Sequence, residues 1–342
     1  MSEGASYHFY LACQGRNEDQ SDSAIVVIDP AEGKVRASTS QGFISPRSLA
    51  GQPGVDRLYV VDAHDPTAVS IIDCVQLQPH DDDVAPEDGN LGHAALSPDG
   101  ERLLVTANSG RTLYEVDTKT NLSVRHYDLP GTEGGLTLSG DGERVYMGTS
   151  GNFWSPAGIT PRVAMLELAD RDDPPVTASD DEEEEPMDKP RQVLGPVDIG
   201  TTVEKITGVR VLLSADDSRL YAWEPKSTDA LVVLDTQTFQ ITAQAKGRPP
   251  GAIALSPDGE RLYAVYHDRG GVILDPTTLT STDTFPADPD ASPILCMGPD
   301  GTLLVAYSTG TAVLITPDGE AGTPFSVSGI PQNAVTAAPT QA

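Results

Sequence analysis

The chain is poor in cysteine, in aromatic residues and in positive charge. It has three cysteines in 342 residues, 5% aromatics, and 22 lysines and arginines against 51 aspartates and glutamates. Cys13, Cys74 and Cys296 are far apart and show no C-x-x-C spacing. The sequence therefore predicts neither a disulfide framework nor a zinc site.

The net charge of −29 excludes several classes of partner. Because affinity for phosphate depends on Lys and Arg, we expect no nucleic acid binding, and an anionic membrane would repel the surface. No run approaches the roughly 18 apolar residues of a membrane span, and the first residues lack the pattern of a signal peptide. We therefore expect a cytoplasmic protein. The acidity fits either a high-salt cytoplasm or an ordinary acidic protein.

A phrase of about ten residues returns roughly every 40 residues, which indicates a repeat architecture. Each copy predicts a strand, a tight turn and a second strand. The copies are LSPDGERLLV (96–105), LSGDGERVYM (138–147), LSADDSRLYA (213–222), LSPDGERLYA (255–264) and MGPDGTLLVA (297–306).

A second marker, an apolar strand that ends in an acid, counts the repeats independently. Its acids are Asp29, Asp73, Asp117, Glu167, Asp235 and Asp275, and Thr316 stands in the seventh place. Seven units of four antiparallel strands predict an all-β protein, a seven-bladed β-propeller; an open sandwich is the alternative. The chain starts inside a blade, so the tail at 330–339 is predicted to supply the missing innermost strand and close the ring.

The SPDG turns followed by LYV-like strands, with valine-rich strands that end in Asp, resemble the YVTN-type seven-bladed propellers over nearly the whole chain. The resemblance implies a fold and not an activity. Its wider relatives include lactonase-type propellers, heavy chains of quinone-dependent amine dehydrogenases, surface-layer proteins and binding proteins. It transfers no catalytic set to this chain, and the sequence identifies no cofactor.

An acidic insertion at 170–190 interrupts the predicted blade 4, with the sequence DRDDPPVTASDDEEEEPMD at 170–188. Like charges at this density favour a solvated, disordered loop. A Ca²⁺ site is the alternative, but the run lacks the ligand pattern and fixed Gly of an EF-hand loop. If the protein is a scaffold, this loop is the expected contact for a protein partner.

Propellers bind ligands at one mouth of the central channel, which is lined by the loops between strands two and three and by those between blades. Two rings of residues should face this mouth. At the last position of the second strands, Asp62, Glu224, Tyr266 and Tyr307 stand out. At the entry to the innermost strands, where Ser48 is the first member, His93 and Arg210 stand out.

Four of the six histidines, His64, His80, His93 and His267, lie in or beside the same loops. Histidine beside carboxylate suits acid–base chemistry or a metal, although a solvated loop is the alternative at His80 and His64. We take Asp62, His93 and Glu224 as candidate catalytic residues, and no residue as a metal ligand. The candidate ligand-binding residues are Arg210, Tyr266, His267, Tyr307 and His64.

Three functions remain open. The first is binding of a small polar or anionic molecule at the channel mouth, where Arg210 would meet an anion in bidentate fashion. The second is an enzyme on the same site, a lactonase-like hydrolase or a lyase, with Arg210 stabilising developing negative charge. The third is a non-catalytic scaffold. The sequence has no P-loop, G-x-S-x-G or H-E-x-x-H motif that would favour another chemistry.

Overall fold

The computed structural model describes residues 7–17, 22–40, 42–62, 68–80, 83–84, 91–107, 111–129, 134–150, 159–173, 188–200, 208–225, 227 and 231–340. Twenty-eight strands are formed within these residues. In that part of the chain, no helix has the length and apolar character needed to cross a membrane.

The strands form seven four-stranded antiparallel sheets, which are the blades of the predicted propeller. Blades 1 to 3 contain β1 (His8–Gln14), β2 (Ala24–Asp29) and β3 (Lys34–Thr39); β4 (Pro46–Ala50), β5 (Arg57–Asp62), β6 (Val69–Asp73) and β7 (Gln78–Pro79); and β8 (Leu91–Leu96), β9 (Arg102–Ala107), β10 (Thr112–Asp117) and β11 (Leu122–Asp128).

Blades 4 to 7 follow the same order from the inside of the ring to the outside. Blades 4 and 5 contain β12 (Leu136–Leu138), β13 (Arg144–Ser150), β14 (Pro161–Glu167), β15 (Gln192–Asp198), β16 (Arg210–Leu213), β17 (Arg219–Trp223), β18 (Val232–Asp235) and β19 (Gln240–Gln244). Blades 6 and 7 contain β20 (Ala252–Leu255), β21 (Leu262–Tyr266), β22 (Gly270–Leu274), β23 (Ser281–Phe285), β24 (Pro293–Met297), β25 (Leu303–Tyr307), β26 (Thr311–Ile315) and β27 (Phe325–Ser326).

The last strand, β28 (Ile330–Ala337), closes the ring. It pairs antiparallel with β1 and becomes the innermost strand of blade 1, in the order β28-β1-β2-β3. The first blade is thereby built from both ends of the fold, and β1 has no free inner edge. The predicted closure by the tail is confirmed.

The repeated phrase folds as a turn held by its Ser and Asp side chains. In blade 6 the Ser256 hydroxyl donates to Asp258 Oδ1 at 2.5 Å and accepts the N–H of Arg261 at 2.9 Å. Asp258 in turn accepts the N–H of Glu260 at 3.0 Å. Serine and aspartate favour such local bonds to the backbone. The same arrangement recurs at Ser97, Ser139 and Ser214.

The second marker also has a local structural cause. Asp275 Oδ1 accepts the N–H groups of Thr277 at 3.0 Å and Thr278 at 2.7 Å, which fixes the turn between the third and fourth strands. Asp117 and Asp235 make equivalent pairs of bonds. These acids are therefore turn-forming residues, and they lie at the end of the ring opposite to the loops that join strands two and three.

In blade 7 a residue from blade 1 replaces the missing serine. The phrase reads MGPDG there, and the Tyr7 hydroxyl donates to Asp300 Oδ1 at 2.6 Å. A Cβ atom on Gly298 would overlap the Tyr7 hydroxyl and would lie 2.6 Å from its ring carbon Cζ. Glycine is required because only its bare Cα leaves room for this contact.

Aliphatic side chains pack the blades against each other. Each hydrophobic cluster joins two neighbouring blades; Tyr10, Val60 and Leu58, for example, lie in one that joins blades 1 and 2. Tyrosine hydroxyls bond across the same interfaces, with Tyr10 donating to the Cys74 carbonyl at 3.2 Å and Tyr221 to the Pro276 carbonyl at 3.0 Å. These contacts fix the angle between blades and hence the shape of the channel.

The acidic insertion leaves blade 4 between β14 and β15, where the sequence places it. Its described ends contact blade 3. Arg125 of β11 donates to the Asp173 carbonyl and lies 4.0 Å from the Asp188 carboxylate. Residues 174–187, and with them the expectation of disorder and the Ca²⁺ alternative, lie outside the described residues.

Candidate functional site

The channel is lined by the innermost strands, which contact one another in the series β28, β4, β8, β12 and β16, and β20, β24 and β28. Each innermost strand starts at the end of the ring where the second strand ends, as the pairing of Pro46 with Asp62 shows. We call this end the mouth. Both predicted rings of residues therefore lie at the same end of the channel.

Three innermost strands carry a β-bulge near the mouth. The register shifts between Pro46 and Ser48 in β4, between Leu91 and Ala94 in β8, and opposite Ala12 and Cys13 in β28. A bulge adds one residue to a strand and redirects its side chain. In β4 the added residue is Arg47, and in β8 the bulge contains His93.

Arg47 was missed by the sequence analysis, which took Ser48 as the residue at the entry of β4. Ser48 is buried, and its hydroxyl accepts the N–H of Ala94 at 3.2 Å in the neighbouring blade. Arg47 is exposed. The prediction for Ser48 was off by one position because the bulge shifts the register, which moves a side chain to the other face of the strand.

His93 lies within the electrostatic range of two arginines. Desolvation by burial, followed by the positive charges of Arg47 and Arg210, lowers the pKa of His93 to about 4. Its backbone is fixed by the N–H bond to the Thr106 hydroxyl at 2.9 Å. Near neutral pH the imidazole is therefore uncharged, with one nitrogen able to accept a proton.

Arg210 begins β16 and reaches towards blade 6. Its Nη1 donates to the Gly251 carbonyl at 2.9 Å. Burial lowers the pKa of Arg210, and the negative charge of Glu224 opposes that effect. His267 is close to the same glycine: a Cβ atom placed on Gly251 would lie 3.2 Å from His267 Nε2. The structure thus places Arg210 and His267 beside Gly251, and the charge of Arg210 also acts on His93.

The Asp62 carboxylate is hydrogen-bonded to backbone N–H groups. The carboxylate is 6% exposed and accepts the N–H groups of Ile44, at 2.9 Å, and of Ser45, at 3.0 and 3.1 Å. Two donors on one carboxylate hold the connection from blade 1 to blade 2 in place just before Arg47. Asp62 therefore positions the start of β4. Glu224 is also buried, at 1% exposure.

The two candidate tyrosines are also buried. The Tyr307 hydroxyl accepts the N–H of Asp288 at 2.9 Å and so holds the connection from blade 6 to blade 7. Tyr266 packs in the core between blades 5 and 6, and the Arg269 guanidinium covers its ring at 3.9 Å from the centroid. Burial raises the pKa of both tyrosines, so both stay protonated.

Two histidine candidates remain, His64 and His80. His64 lies outside the described residues, and His80 is exposed, with its N–H bonded to the Ile71 carbonyl at 2.8 Å. Within the residues that the structure describes, no group of three or more His, Cys, Asp or Glu side chains has the arrangement of a metal site.

Two arginines, Arg47 and Arg210, therefore lie at the mouth together with the buried acids Asp62 and Glu224. Arg47 belongs to blade 2 and Arg210 to blade 5, and both positive charges act on His93 of blade 3. Guanidinium groups bind carboxylate and phosphate through fixed, paired N–H donors. Arginines at this end of the channel are therefore chemically suited to bind an anion.

No family model and no curated protein matches the chain. Solved structures share its fold. Hydrazine synthase of Kuenenia stuttgartiensis matches with a TM-score of 0.61 and 12% identity over 86% of this chain and 90% of that one. A putative 6-phosphogluconolactonase from Bacteroides uniformis matches with a TM-score of 0.66 and 15% identity over 97% of this chain and 100% of that one. The predicted likeness to lactonase-type propellers thus holds at the level of the fold: the chain is a seven-bladed β-propeller.

Proposed function

We propose that the protein binds a small organic anion at the mouth of its central channel. The observation that carries this proposal is the position of Arg47 and Arg210 at the starts of two innermost strands, at the mouth, where both charges act on His93. Positive side chains are scarce in this chain, with 22 Lys and Arg against 51 Asp and Glu. A guanidinium group binds a carboxylate through paired N–H donors, so the two arginines are the expected contacts for an anion. The expected cytoplasmic location is retained in this proposal.

A thermal-shift screen against organic acids, sugar acids and their phosphates, at low and high salt, tests the proposal. A ligand that binds the native state raises the melting temperature by mass action. A hit is then titrated by calorimetry. We expect Arg210→Ala and Arg47→Ala each to lower the affinity about 10- to 100-fold, since a hydrogen bond to a charged group contributes about 1.5–3 kcal/mol.

Lys119→Ala is the matched control because it removes one positive charge at the opposite end of the ring. Lys119 is exposed and pairs with Glu101 at 2.6 Å. Its removal should leave the affinity unchanged. Equal losses in all three variants would mean that the ligand senses only the total charge, and the mouth would be rejected as the site.

Hydrolysis of a sugar lactone at the same site is a second candidate. It is favoured by the uncharged imidazole of His93, which is able to act as a general base beside two arginines. Water would attack the lactone carbonyl while His93 accepts its proton, and the arginines would stabilise the oxyanion. The ring C–O bond then breaks, and the alkoxide takes the proton back from His93. Lactone hydrolysis that is lost in His93→Gln at an unchanged melting temperature would support this activity.

A further inference from the structure

The residues that follow β28 cross from blade 1 to blade 2 at the end of the ring opposite to the mouth; we call residues 338–340 the strap. The Ala338 carbonyl accepts the Tyr10 hydroxyl of blade 1 at 2.7 Å. The Thr340 hydroxyl donates to the Val75 carbonyl of blade 2 at 3.0 Å. Both strap residues are buried. The strap therefore covers the contact between the first two blades.

His8, at the start of β1, holds the end of the strap. This residue is 4% exposed, and its Nδ1 accepts the Thr340 N–H at 3.0 Å. Its Nε2 lies 3.6 Å from Asp29 Oδ2 at the end of β2. A ring nitrogen that accepts a hydrogen bond carries no proton. In this arrangement the imidazole is therefore neutral, and its one proton is on Nε2, on the side of the carboxylate.

A second proton on this imidazole has to go to Nδ1. There it faces the Thr340 N–H, so two donors oppose each other and the hydrogen bond is lost. A buried N–H without an acceptor is unfavourable, and so is a buried positive charge. Movement of the strap away from His8 relieves both, because water then reaches the Thr340 N–H and the imidazolium.

The charged groups around His8 are of both signs. Burial lowers the pKa of His8 most, and Asp29 opposes this effect. Arg36 of β3, which lies 3.7 Å from the same carboxylate, lowers the pKa further, whereas Glu32 in the turn between β2 and β3 raises it. The strap presents the uncharged backbone of Thr340. The net result is a pKa below the usual value, so the neutral form is favoured while the strap is bound.

We propose that His8 is a pH-dependent switch: when its ring takes up a proton, the strap is released from blades 1 and 2. This inference concerns the end of the ring away from the mouth and is independent of the proposed function. β28 can stay in place, because its ladder with β1 ends at the pair of His8 and Ala337, before the strap begins. Segments near a chain end open at a lower free energy than the core does.

The direction of the pH dependence follows from linkage. A released, solvated His8 binds a proton more readily than the buried one, so release of the strap is accompanied by proton uptake. The strap is held most strongly above the ordinary histidine pKa of about 6.5. Its hold weakens as the pH falls from there towards and through the lower pKa of the bound form.

Hydrogen exchange of the intact chain, measured by mass spectrometry in the C-terminal peptide, tests the switch. Protection factors, which correct for the intrinsic pH dependence of exchange, are compared at about pH 7.5 and about pH 5.5, the range in which histidine changes charge. We expect the protection of the strap to fall at the lower pH, by about tenfold for each unit between the pKa values of released and bound His8. The peptide that contains β1 should keep its protection.

His8→Asn separates the switch from other effects of pH. The Asn Oδ1 keeps an acceptor near the position of Nδ1 but does not titrate, so the strap should be equally protected at both pH values. His80→Asn is the matched control, because it removes an exposed histidine and should keep the pH dependence of the unmodified protein. The switch is refuted if protection does not fall in the unmodified protein, or if it falls equally in His8→Asn.

Thr340→Pro tests the same hydrogen bond from the other side and decides the matter if His8→Asn does not fold. Proline has no N–H, so nothing opposes a proton on Nδ1. In a histidine NMR titration we expect a higher pKa of His8 in this variant than in the unmodified protein. Thr340→Ala is the control, since it keeps the N–H and removes only the hydroxyl bond to Val75. No rise in Thr340→Pro, or an equal rise in both variants, would overturn the inference.

Discussion

Restoring the repeated serine in blade 7 should destabilise the protein. Gly298 stands where blades 3 to 6 have serine, yet its Cβ position is taken by Tyr7, whose hydroxyl donates to Asp300 at 2.6 Å. Gly298→Ser forces Tyr7 out of this position, and overpacking of this kind costs about 1–3 kcal/mol. For a domain of this length that lowers the melting temperature by about 1–4 °C.

The sign of the effect should change when Tyr7 is removed. Tyr7→Ala opens the space, so a serine at 298 is then free to bond Asp300 as Ser256 bonds Asp258 in blade 6. We expect Gly298→Ser to be neutral or stabilising in that background, with a coupling free energy of about 1–3 kcal/mol between the two positions. Tyr7→Phe keeps the ring and should cost only the hydrogen bond, about 1–2 kcal/mol.

Denaturant melts of the four proteins of this double-mutant cycle provide the measurement. Gly135→Ser is the matched control, since a Cβ there would be 3.6 Å from its nearest neighbour, an ordinary contact distance. Its cost should be the same with and without Tyr7. Additive effects of Tyr7→Ala and Gly298→Ser would refute the reasoning, because they would mean that the two residues do not compete for one space.

Two other predictions follow from the positions of Asp62 and β28. Asp62→Ala leaves the N–H groups of Ile44 and Ser45 without an acceptor and should lower the free energy of unfolding in urea by about 2–4 kcal/mol; a value below 0.5 kcal/mol would argue against this role. Truncation before Ile330 exposes the inner edge of β1 and should give insoluble protein, which an added peptide of residues 330–340 should rescue by strand addition; a soluble, cooperatively unfolding truncated chain would contradict it.

The fold was predictable because both repeated markers have local causes. The serine and aspartate of the phrase form hydrogen bonds within their own turn, and the aspartates that end the third strands do the same in the turn that follows. Each repeat can therefore be recognised in the sequence without reference to its neighbours. The seventh repeat departs from this pattern, because it has Gly298 where the phrase has serine. Gly298 is explained by Tyr7, almost 300 residues away in sequence, and no spacing in the chain shows such a contact.

The mouth was predictable only in part. Arg210 and His93 were identified because the ends of strands align between blades, and both lie at the mouth. Arg47 was missed because a β-bulge has no reliable sequence signal and moves the register by one residue. Asp62 and Tyr307 were chosen as unusual polar and aromatic residues at the mouth, but their partners are backbone N–H groups of the loops that enter the blades.

Closure by β28 has a consequence for biosynthesis. Blades 2 to 7 consist of consecutive strands, so each is complete soon after its fourth strand leaves the ribosome. Blade 1 is different: β1 is made before the other strands of the ring and obtains its inner partner only when β28, the last strand of the ring, has been made. Between the synthesis of β1 and that of β28 the nascent chain therefore carries an open sheet edge, which is a template for pairing with other chains. Chaperone demand should be greatest in this interval and end when the ring closes.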